Sequence, residues 1–550
     1  DDNADFSVQL AAAKEGGAVY ATGTSSKLVV DGGTITGSTA TDRGGSISLR
    51  GGASLEVNSG RIENGCAWGN QMGGNVYAEG NVTVSGGTIT GGNTTGTANT
   101  PSVKGAASTI RGAGRGGNIC IRGAYTLTMT GGTISDGVSP SGGNLSIEGS
   151  KTDHSFSGGT ISGGEALNGG NIYIAANAPG GTFSGTTVEN GIVYVTSSSN
   201  GRGGNLYNTT GTFNITGGSF TGGAIKGTKT ASNTGFGANI MTQKNMTITN
   251  ATISGGNAEN SFGGNLGVHG GASVTLGQGG IITNGTALRA TGNSANGQGG
   301  NVYILKGTFT VAGGTVSNTT GAANAQHAGN IYIPTADGTL AMTSGTISGG
   351  QALSYGGNIY AYTNSTVNVT GGTISGGKAA QGGNVYVRAT NKVTLKDCEV
   401  TGGTGYSIYL MDAAAGATLN GATVSGATAG AIRNVGTLTL TNATISGNTG
   451  ATAPGVYNLA GATVTMTGGS ISGNTAIWNG AVYTSGGTLT VTDVTAVTIS
   501  RRQYQSLTAL LPQTNIRFIM PPFIDLPAGG SGNGRSQSPG DSAFSACRCC

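Results

Sequence analysis

The feature that most constrains the fold is a repeated unit whose copies follow one another at many steps of 26 or 27 residues. The unit is clearest between residues 356 and 387. There Gly356-Gly357-Asn358-Ile359-Tyr360 is followed by Val367-Asn368-Val369-Thr370 and then by Gly371-Gly372-Thr373-Ile374-Ser375. Apolar and polar residues alternate in all three segments, which is typical of half-buried strands. Internal repetition of short strands predicts a β-solenoid.

The Thr-Ile-Ser segment marks successive coils. Its central residues are Ile35, Ile62, Ile89, Ile134, Ile161, Val188, Phe220, Ile253, Ile282, Val316, Ile347, Ile374, Val400, Val424, Ile445 and Ile471. These marks predict an all-β chain, a right-handed single-stranded parallel β-helix of about sixteen coils with three strands each. With roughly 4.8 Å between stacked strands, the rod is about 75 Å long. No helical periodicity supports a helical solenoid.

The boundaries of the repeats divide the chain into three parts. Residues 1–15 precede the first repeat and are predicted to form an N-terminal cap. Residues 16–500 form the β-helix with loop insertions, the largest at about 93–114. Residues 501–550 carry Pro512, Pro521, Pro522 and Pro527 and no repeat. They are interpreted as a C-terminal cap or a disordered tail.

Stacking places the same repeat position of every coil in one column. The central residues listed above form an aliphatic column, which is predicted to be the core because an exposed apolar column of this length would be a large adhesive patch. Most residues on either side of it are Thr or Ser. These two hydroxyl columns are predicted to face outward.

A second pair of columns comes from the Gly-Gly-Asn-Ile-Tyr segment. By alternation its Asn and Tyr share one face, which we interpret as outward, so the columns are candidates for a glycan-binding ladder. The candidate residues are Tyr303, Tyr332, Tyr360, Tyr386, Asn301, Asn330, Asn358 and Asn384. The simpler interpretation is that stacked Tyr and Asn stabilise adjacent coils. Asn can also form internal hydrogen-bonded ladders at the corners of a β-helix.

Charge and hydropathy narrow the functional classes. Charged residues are 9% of the chain and the net charge is +4, which is too dilute to indicate nucleic-acid binding. A local basic patch of Lys104, Arg111, Arg115 and Arg122 is interpreted as a solvated loop within the long insertion. No run of about 18 apolar residues is present, so no transmembrane helix is predicted.

With these motifs, roughly residues 16–500 resemble bacterial surface proteins of the pectate-lyase-like right-handed β-helix superfamily. The nearest likeness is to the passengers of polymorphic outer-membrane autotransporters, which repeat a Gly-Gly-Ala-Ile element. The matching segments are Gly16-Gly17-Ala18-Val19 and Asn479-Gly480-Ala481-Val482, with Ile445-Ser446-Gly447-Asn448 and Ile471-Ser472-Gly473-Asn474. Most other repeats have Asn in place of Ala. The resemblance implies an extracellular, passive rod used in adhesion or display.

An enzyme on this scaffold would be a polysaccharide lyase or glycosidase, which needs clustered carboxylates or a Lys or Arg base on neighbouring coils. The one close acidic group, Asp397-Cys398-Glu399, falls at a corner with no carboxylate in the stacked positions. Arg61 and Glu63 are explained as an ordinary ion pair. His154, His269 and His327 occupy unrelated positions. No catalytic residue, metal site or cofactor is therefore predicted.

The sequence thus predicts a non-catalytic, adhesin-like or structural rod at a bacterial cell surface or outside the cell, with glycans or surface proteins as partners. A polysaccharide lyase or glycosidase is the main alternative. The hydroxyl columns raise a minor alternative, an ice-binding solenoid, against which Arg61, Glu63, Glu189, Ile281 and Glu399 interrupt the arrays.

Overall fold

The computed structural model describes residues 13–497, except for 69–70, 95–103, 106, 111, 152, 176–177, 179, 197–199, 228–234, 289–296, 391 and 477–478. Across these residues the chain winds into a parallel β-helix, which confirms the predicted fold. The predicted N-terminal cap lies mostly outside the described residues, and the 501–550 segment lies entirely outside them.

One wall of the helix is a sheet that we call the tyrosine sheet. It contains one strand from each coil, and every strand pairs in parallel with its equivalents in the neighbouring coils. Its strands are Val19–Thr22, Ile47–Arg50, Val76–Ala78, Ile119–Gly123, Leu145–Gly149, Ile172–Ile174, Leu206–Asn208, Ile240–Thr242, Leu266–Val268, Val302–Ile304, Ile331–Ile333, Ile359–Ala361, Val385–Val387, Ile408–Leu410, Ile432–Asn434, Val456–Asn458 and Val482–Thr484.

The rest of each coil supplies two strand segments to a second parallel sheet, which we call the hydroxyl sheet. The first segments are Lys27–Val30, Ser54–Val57, Val82–Val84, Leu127–Met129, His154–Phe156, Gly180–Phe183, Thr212–Ile215, Met246–Ile248, Ala272–Leu276, Thr366–Val369, Val393–Lys396, Gly416–Asn420, Thr437–Thr441, Thr463–Thr467 and Thr488–Thr492. The second are Thr34–Thr36, Arg61–Glu63, Thr88–Thr90, Thr133–Ser135, Thr160–Ser162, Thr187–Glu189, Ser219–Thr221, Thr252–Ser254, Ile281–Thr283, Thr373–Ser375, Glu399–Thr401, Thr423–Ser425, Thr444–Ser446, Ser470–Ser472 and Ala496–Val497. Gly307–Ser317 and Gly338–Ser348 run through both segments.

Short elements complete the coils where the chain returns to the tyrosine sheet. They are the strands Ala13–Glu15, Thr39–Arg43, Cys66–Ala67, Glu165–Ala166, Ile192–Tyr194, Ala224–Lys226, Asn257–Ala258, Ala325–His327, Ala352–Tyr355, Thr449–Gly450 and Thr475–Ala476, and a 3₁₀ turn at Ala107–Thr109.

The interior is filled by aliphatic side chains from the tyrosine sheet and from both strand segments of the hydroxyl sheet. In the coil that contains residues 356–387, Ile359, Val367, Val369 and Ile374 are fully buried in one continuous core. The aliphatic column predicted from the sequence is therefore the core. The described residues form seventeen coils rather than sixteen, because the strand Ala496–Val497 stacks in register on Ser470–Ser472 without matching the Thr-Ile-Ser pattern.

The paired glycines form a corner that other residues would not fit. Gly356 has a φ of +64°, in the left-handed region that favours glycine. A Cβ on Gly357 would collide with the carbonyl oxygen of Gly383 and the backbone nitrogen of Lys378. The corner thus brings successive coils close enough for their backbones to touch.

The Asn column lies inside the helix, so the outward interpretation of Asn301, Asn330, Asn358 and Asn384 is wrong. These four side chains are fully buried. Strand alternation does not extend to Asn358, because the strand begins only at Ile359 and the preceding glycines turn the chain at the corner. The internal hydrogen-bonded ladder is the arrangement that the structure adopts.

Each amide in the column uses both its donors and its acceptor. Asn358 Nδ2 donates to the Ser375 carbonyl oxygen at 2.8 Å and to Asn384 Oδ1 at 2.7 Å. Asn358 Oδ1 accepts from the Gly350 backbone N–H at 2.9 Å and from Asn330 Nδ2 at 2.7 Å. The same pattern runs from Asn75 to Asn384, where Nδ2 donates to Ser407 Oγ instead.

Asn358→Ala should lower the free energy of unfolding by roughly 3 kcal/mol, because it leaves several buried polar groups without partners. Asn368→Ala is the matched control, since Asn368 belongs to the same coil but is exposed. Chemical denaturation of both variants measures the difference. Equal midpoints for the two variants would contradict the stabilising role of the ladder.

One coil carries a histidine in its interior. His154 is 1% exposed, and its Nδ1 accepts the Leu127 backbone N–H at 3.1 Å. Its ring stacks on Phe213 with the centroids 6.2 Å apart, and its buried Nε2 has no partner. Burial lowers the pKa of His154 to about 4. The folded protein therefore holds a neutral imidazole in the core.

This histidine should make the protein less stable in acid. Between about pH 6.5 and pH 4 the unfolded chain binds a proton that the folded protein excludes, so the free energy of unfolding falls by about 3 kcal/mol. His154→Asn, which keeps an acceptor near the position of Nδ1, should remove this part of the pH dependence. Urea midpoints measured from pH 4 to pH 8 test it, and identical slopes for both proteins would refute it.

Candidate functional site

The outer face of the tyrosine sheet presents three columns of side chains. The middle column is the tyrosine position of each strand, and the third column lies two residues after it. The first column precedes each glycine corner and is joined from coil to coil by parallel bridges. Its members are Glu15, Arg43, Met72, Arg115, Ser141, Asn168, Arg202, Phe236, Phe262, Gln298, His327, Tyr355 and Gln381.

The four predicted tyrosines lie in the middle column, on the opposite face of the sheet from the core. They are at most 5% exposed, because the first and third columns cover them. Tyr332 and Tyr360 have their ring centroids 5.0 Å apart, and Tyr360 meets Tyr386 edge-on at 4.9 Å. Burial raises the pKa of Tyr360 to about 12. The predicted tyrosines are thus the floor of this face rather than its exposed surface.

Further accessible rings lie beside the middle column, and sequence reasoning missed them. We call the half-buried side chains Phe236, Phe262, Tyr355, Tyr362 and Tyr406 the aromatic strip. Phe262 stacks on Tyr303 with centroids 4.6 Å apart, and Tyr355 stacks on Tyr386 at 4.8 Å. The strip spans about 30 Å if each coil adds roughly 4.8 Å.

Guanidinium groups accompany the rings. Arg388 lies 5.4 Å from the ring centroid of Tyr362, and Arg433 lies 5.0 Å from that of Tyr409 and 5.6 Å from that of Tyr457. Such cation–π contacts hold the guanidinium groups against the face. The strip therefore combines apolar ring surfaces with positive hydrogen-bond donors.

The N-terminal part of the same face carries charged side chains in its flanking columns. Its third column reads Arg50, Glu79, Arg122 and Glu148 on four consecutive strands, as the register of these strands shows. Arg43, Glu79, Arg122, Tyr125 and Glu148 line a cleft of about 560 Å³, which we call the charged cleft. A charged groove on neighbouring coils weakens the argument against an enzyme, because that argument depended on scattered charges.

The charges form a network of ion pairs. Glu148 lies 2.8 Å from Arg115 and 4.0 Å from Arg122, and it is only 5% exposed. Arg50 lies 3.3 Å from Glu79 and 3.8 Å from Glu15. The Tyr77 hydroxyl donates to Glu79 at 2.7 Å. These contacts fix the positions of the carboxylates within the face.

The interpretation of the basic patch as a solvated loop is wrong for two of its members. Arg115 and Arg122 belong to the columns of the tyrosine sheet, whereas Lys104 lies in the insertion and pairs with Asp136. Arg111 lies outside the described residues. The insertion itself is held by Glu165, which accepts the Gly105 backbone N–H at 2.7 Å and the Tyr194 hydroxyl at 3.1 Å.

The sequence contained a signal for the charged column. The position two residues after the tyrosine position alternates Arg, Glu, Arg, Glu in four successive coils. The middle position of three of these coils holds Ser48, Cys120 and Ser146 rather than Tyr. The charged column was therefore missed, because the sequence analysis considered only the coils with Tyr at the middle position.

The outer face of the hydroxyl sheet is mostly Thr and Ser, as predicted. Arg61 and Glu63 form an ion pair of 2.8 Å there. The five interruptions named from the sequence all precede residue 400, and Ala496 interrupts one column again in the last coil. Between residues 413 and 492 the single charged residue is Arg433, which lies on the tyrosine sheet. The ice-binding alternative stays a prediction.

The Asp397-Cys398-Glu399 group lies at a corner of the hydroxyl sheet. Asp397 has a φ of +47° and lies 3.7 Å from Lys396. Cys398 is buried, and burial raises the pKa of its thiol to about 12. Glu399 faces solvent between Thr373 and Thr423. No second carboxylate meets Glu399 in these stacked positions.

Comparison with known proteins supports the architecture. Residues 357–504 match the family model described as a right-handed beta helix region. The chain is a right-handed parallel β-helix. The matched residues are a little over a quarter of the sequence, and the coils before residue 357 stack in the same way. No curated protein matches the chain, and no solved structure does.

Within residues 13–497, gaps excepted, no helix is long and apolar enough to cross a membrane. In the same part of the chain, no group of three or more His, Cys, Asp or Glu side chains is arranged to hold a metal ion.

Proposed function

We propose that this protein is a non-catalytic, adhesin-like rod, located outside the cell or on a bacterial cell surface, that binds polysaccharide chains lengthwise along the aromatic strip. The aromatic strip is the observation that carries the proposal. Half-buried rings offer flat apolar surfaces that pack against the apolar faces of pyranose rings, and nearby donors and acceptors pair with sugar hydroxyls.

The shape of the site favours an extended ligand. Ring contacts continue from Phe236 through the middle column to Tyr409, and Arg433 connects that series to Tyr457 and Tyr483. The middle-column rings lie in one line along the rod axis because each of these coils contributes one at the same position, and the rings of the aromatic strip lie beside that line. A polymer with a repeating unit can contact several coils at once, so individually weak contacts add up.

The side chains that contact the ligand are also held in place before it binds. Tyr362 is fixed between the buried Tyr360 ring, at a centroid distance of 5.8 Å, and the Arg388 guanidinium. A ring already ordered loses little conformational freedom on binding. The rigid face therefore favours binding without a closing motion.

Tyr362→Ala should weaken polysaccharide binding about tenfold, because it removes a ring contact and frees Arg388. Tyr362→Phe should retain most of the affinity. A glycan array identifies the ligand, and titration calorimetry with the best-bound oligosaccharide measures the affinities.

Ile281→Ala is the control for this experiment, since Ile281 is an exposed apolar side chain on the hydroxyl sheet. Its affinity should equal that of the wild type. Wild-type affinity in Tyr362→Ala, or an equal loss in Ile281→Ala, would exclude the aromatic strip as the binding surface.

A polysaccharide lyase or glycosidase is the second candidate, favoured by the charged cleft. Glu79 and Glu148 are two strands apart, so their column positions differ by about 10 Å, near the upper end of the separation in inverting glycosidases. Both carboxylates are engaged by guanidinium groups, which suits binding better than proton transfer.

No turnover of neutral or uronic-acid polysaccharides is expected from the purified protein, because the cleft carboxylates are held in ion pairs. Release of reducing ends and of unsaturated products are the two measurements. Turnover that disappears in Glu79→Gln but persists in Glu63→Gln, on the opposite sheet, would replace the adhesin proposal with the enzyme.

A further inference from the structure

The ion-pair network around the charged cleft contains more positive than negative charge, although the cleft lining itself holds two arginines and two glutamates. Its network consists of Arg43, Arg50, Arg115 and Arg122 with only three carboxylates, Glu15, Glu79 and Glu148. The third column is balanced, with two arginines and two glutamates, and the one excess guanidinium comes from the first column, where Arg43 and Arg115 accompany Glu15 alone. The network that surrounds the cleft therefore has one more guanidinium than carboxylate groups.

The positive charge with the weakest carboxylate pairing belongs to specific guanidinium groups. Glu148 gives its short contact to Arg115, so Arg122 retains only the 4.0 Å contact to Glu148 and a 3.6 Å contact from Nη1 to Met72 Sδ. The Arg122 side chain is 45% exposed and lines the cleft. Of the four arginines, Arg122 thus combines weak pairing with access from solvent.

Arg43 supplies a second unsatisfied donor. Its side chain lines the cleft and is 20% exposed, and its nearest carboxylate, on Glu15, is 3.9 Å away. Its buried Nε has no hydrogen-bond partner. Leaving a charged donor buried and unpaired costs free energy, so the Arg43 charge is only partly compensated within the protein.

The donors are also preorganised. The Arg43 and Arg50 guanidinium groups lie 5.2 and 5.7 Å from the ring centroid of Tyr77, which is fully buried. Cation–π contacts of this kind restrict the guanidinium groups. Purely structural ion pairs on a surface need neither an unpaired donor nor a cleft, so they explain the network only in part.

We propose that the charged cleft binds a carboxylate or sulfate group of an acidic sugar unit, with Arg122 and Arg43 as the donors. Guanidinium groups pair with both kinds of anion through charge-assisted hydrogen bonds. This inference rests on the proposed function, because it makes acidic polysaccharides the ligand class of the rod. A volume of about 560 Å³ is in the range of small-ligand sites.

The cleft and the aromatic strip lie on one continuous face. Between them, Tyr173 and Tyr207 have ring centroids 5.7 Å apart, and Arg202 lies 5.6 Å from the ring centroid of Tyr207. A chain held on the strip can therefore place an acidic unit in the cleft. The strip then supplies apolar contact, and the cleft supplies selectivity for charge.

The experiment uses pairs of oligosaccharides. Within each pair, one member is neutral and the other has the same backbone with a carboxylate or sulfate group added. The pairs cover a panel of different backbones. Calorimetry should show tighter binding of the acidic member. Arg122→Gln should reduce its affinity at least about tenfold, as expected for losing a hydrogen bond to a charged group. Binding of the neutral member should not change. Arg43→Gln should act in the same direction, and thermal unfolding verifies that both variants are folded.

Arg61→Gln is the matched control, because Arg61 is an exposed, ion-paired arginine on the hydroxyl sheet. Its affinity for the acidic member should equal that of the wild type. Equal binding of both members by the wild type and by Arg122→Gln overturns this inference and leaves the proposed function intact. An equal loss of affinity for the acidic member in Arg61→Gln overturns the inference too, because the loss then follows from the net charge of the protein rather than from the cleft. Failure of every pair to bind contradicts the proposed function as well.

Discussion

A buried amide ladder is the interaction on which the rest of the structure depends. Each Asn amide of the ladder from Asn75 to Asn358 donates to the amide of the next coil, ending at Asn384, through hydrogen bonds of 2.6–2.8 Å. An amide shifted by one residue would be buried without partners, which is costly. The ladder therefore favours one register between successive coils. In that register, equivalent residues of every other column also lie above one another.

Because the register between coils is fixed, the residues at each repeat position form a continuous column along the rod. The chemistry of the face changes only where the residues of a column change. On the tyrosine sheet it changes from alternating charges, between Arg50 and Glu148, to rings from Phe236 onward. The hydroxyl sheet keeps Thr and Ser at most of its outer positions. The chemically varied positions thus lie along one wall of the rod, which is the wall to which polymer binding is proposed.

The sequence was sufficient for the fold because periodicity alone determines which residues stack. Ile374 and its equivalents identified the core, and the glycine pairs identified the corners. The strand alternation of inward and outward side chains predicted the wrong orientation for Asn358, because Gly356, in the left-handed region, turns the chain just before it. The columns of Phe236 and Tyr362 were missed because their residue type varies from coil to coil. The charged cleft depends on side-chain distances between coils, such as that from Glu148 to Arg115, which spacing in the sequence does not provide.

The central claim is that the outer face of the tyrosine sheet, rather than the hydroxyl sheet, is the binding surface. The most direct measurement is a crystal structure of the protein with the oligosaccharide that binds most tightly. The account predicts sugar rings against Tyr362 and Tyr355, with the chain parallel to the rod axis and an acidic group at Arg122. An oligosaccharide bound to the threonine columns of the hydroxyl sheet, with the aromatic strip empty, would contradict it.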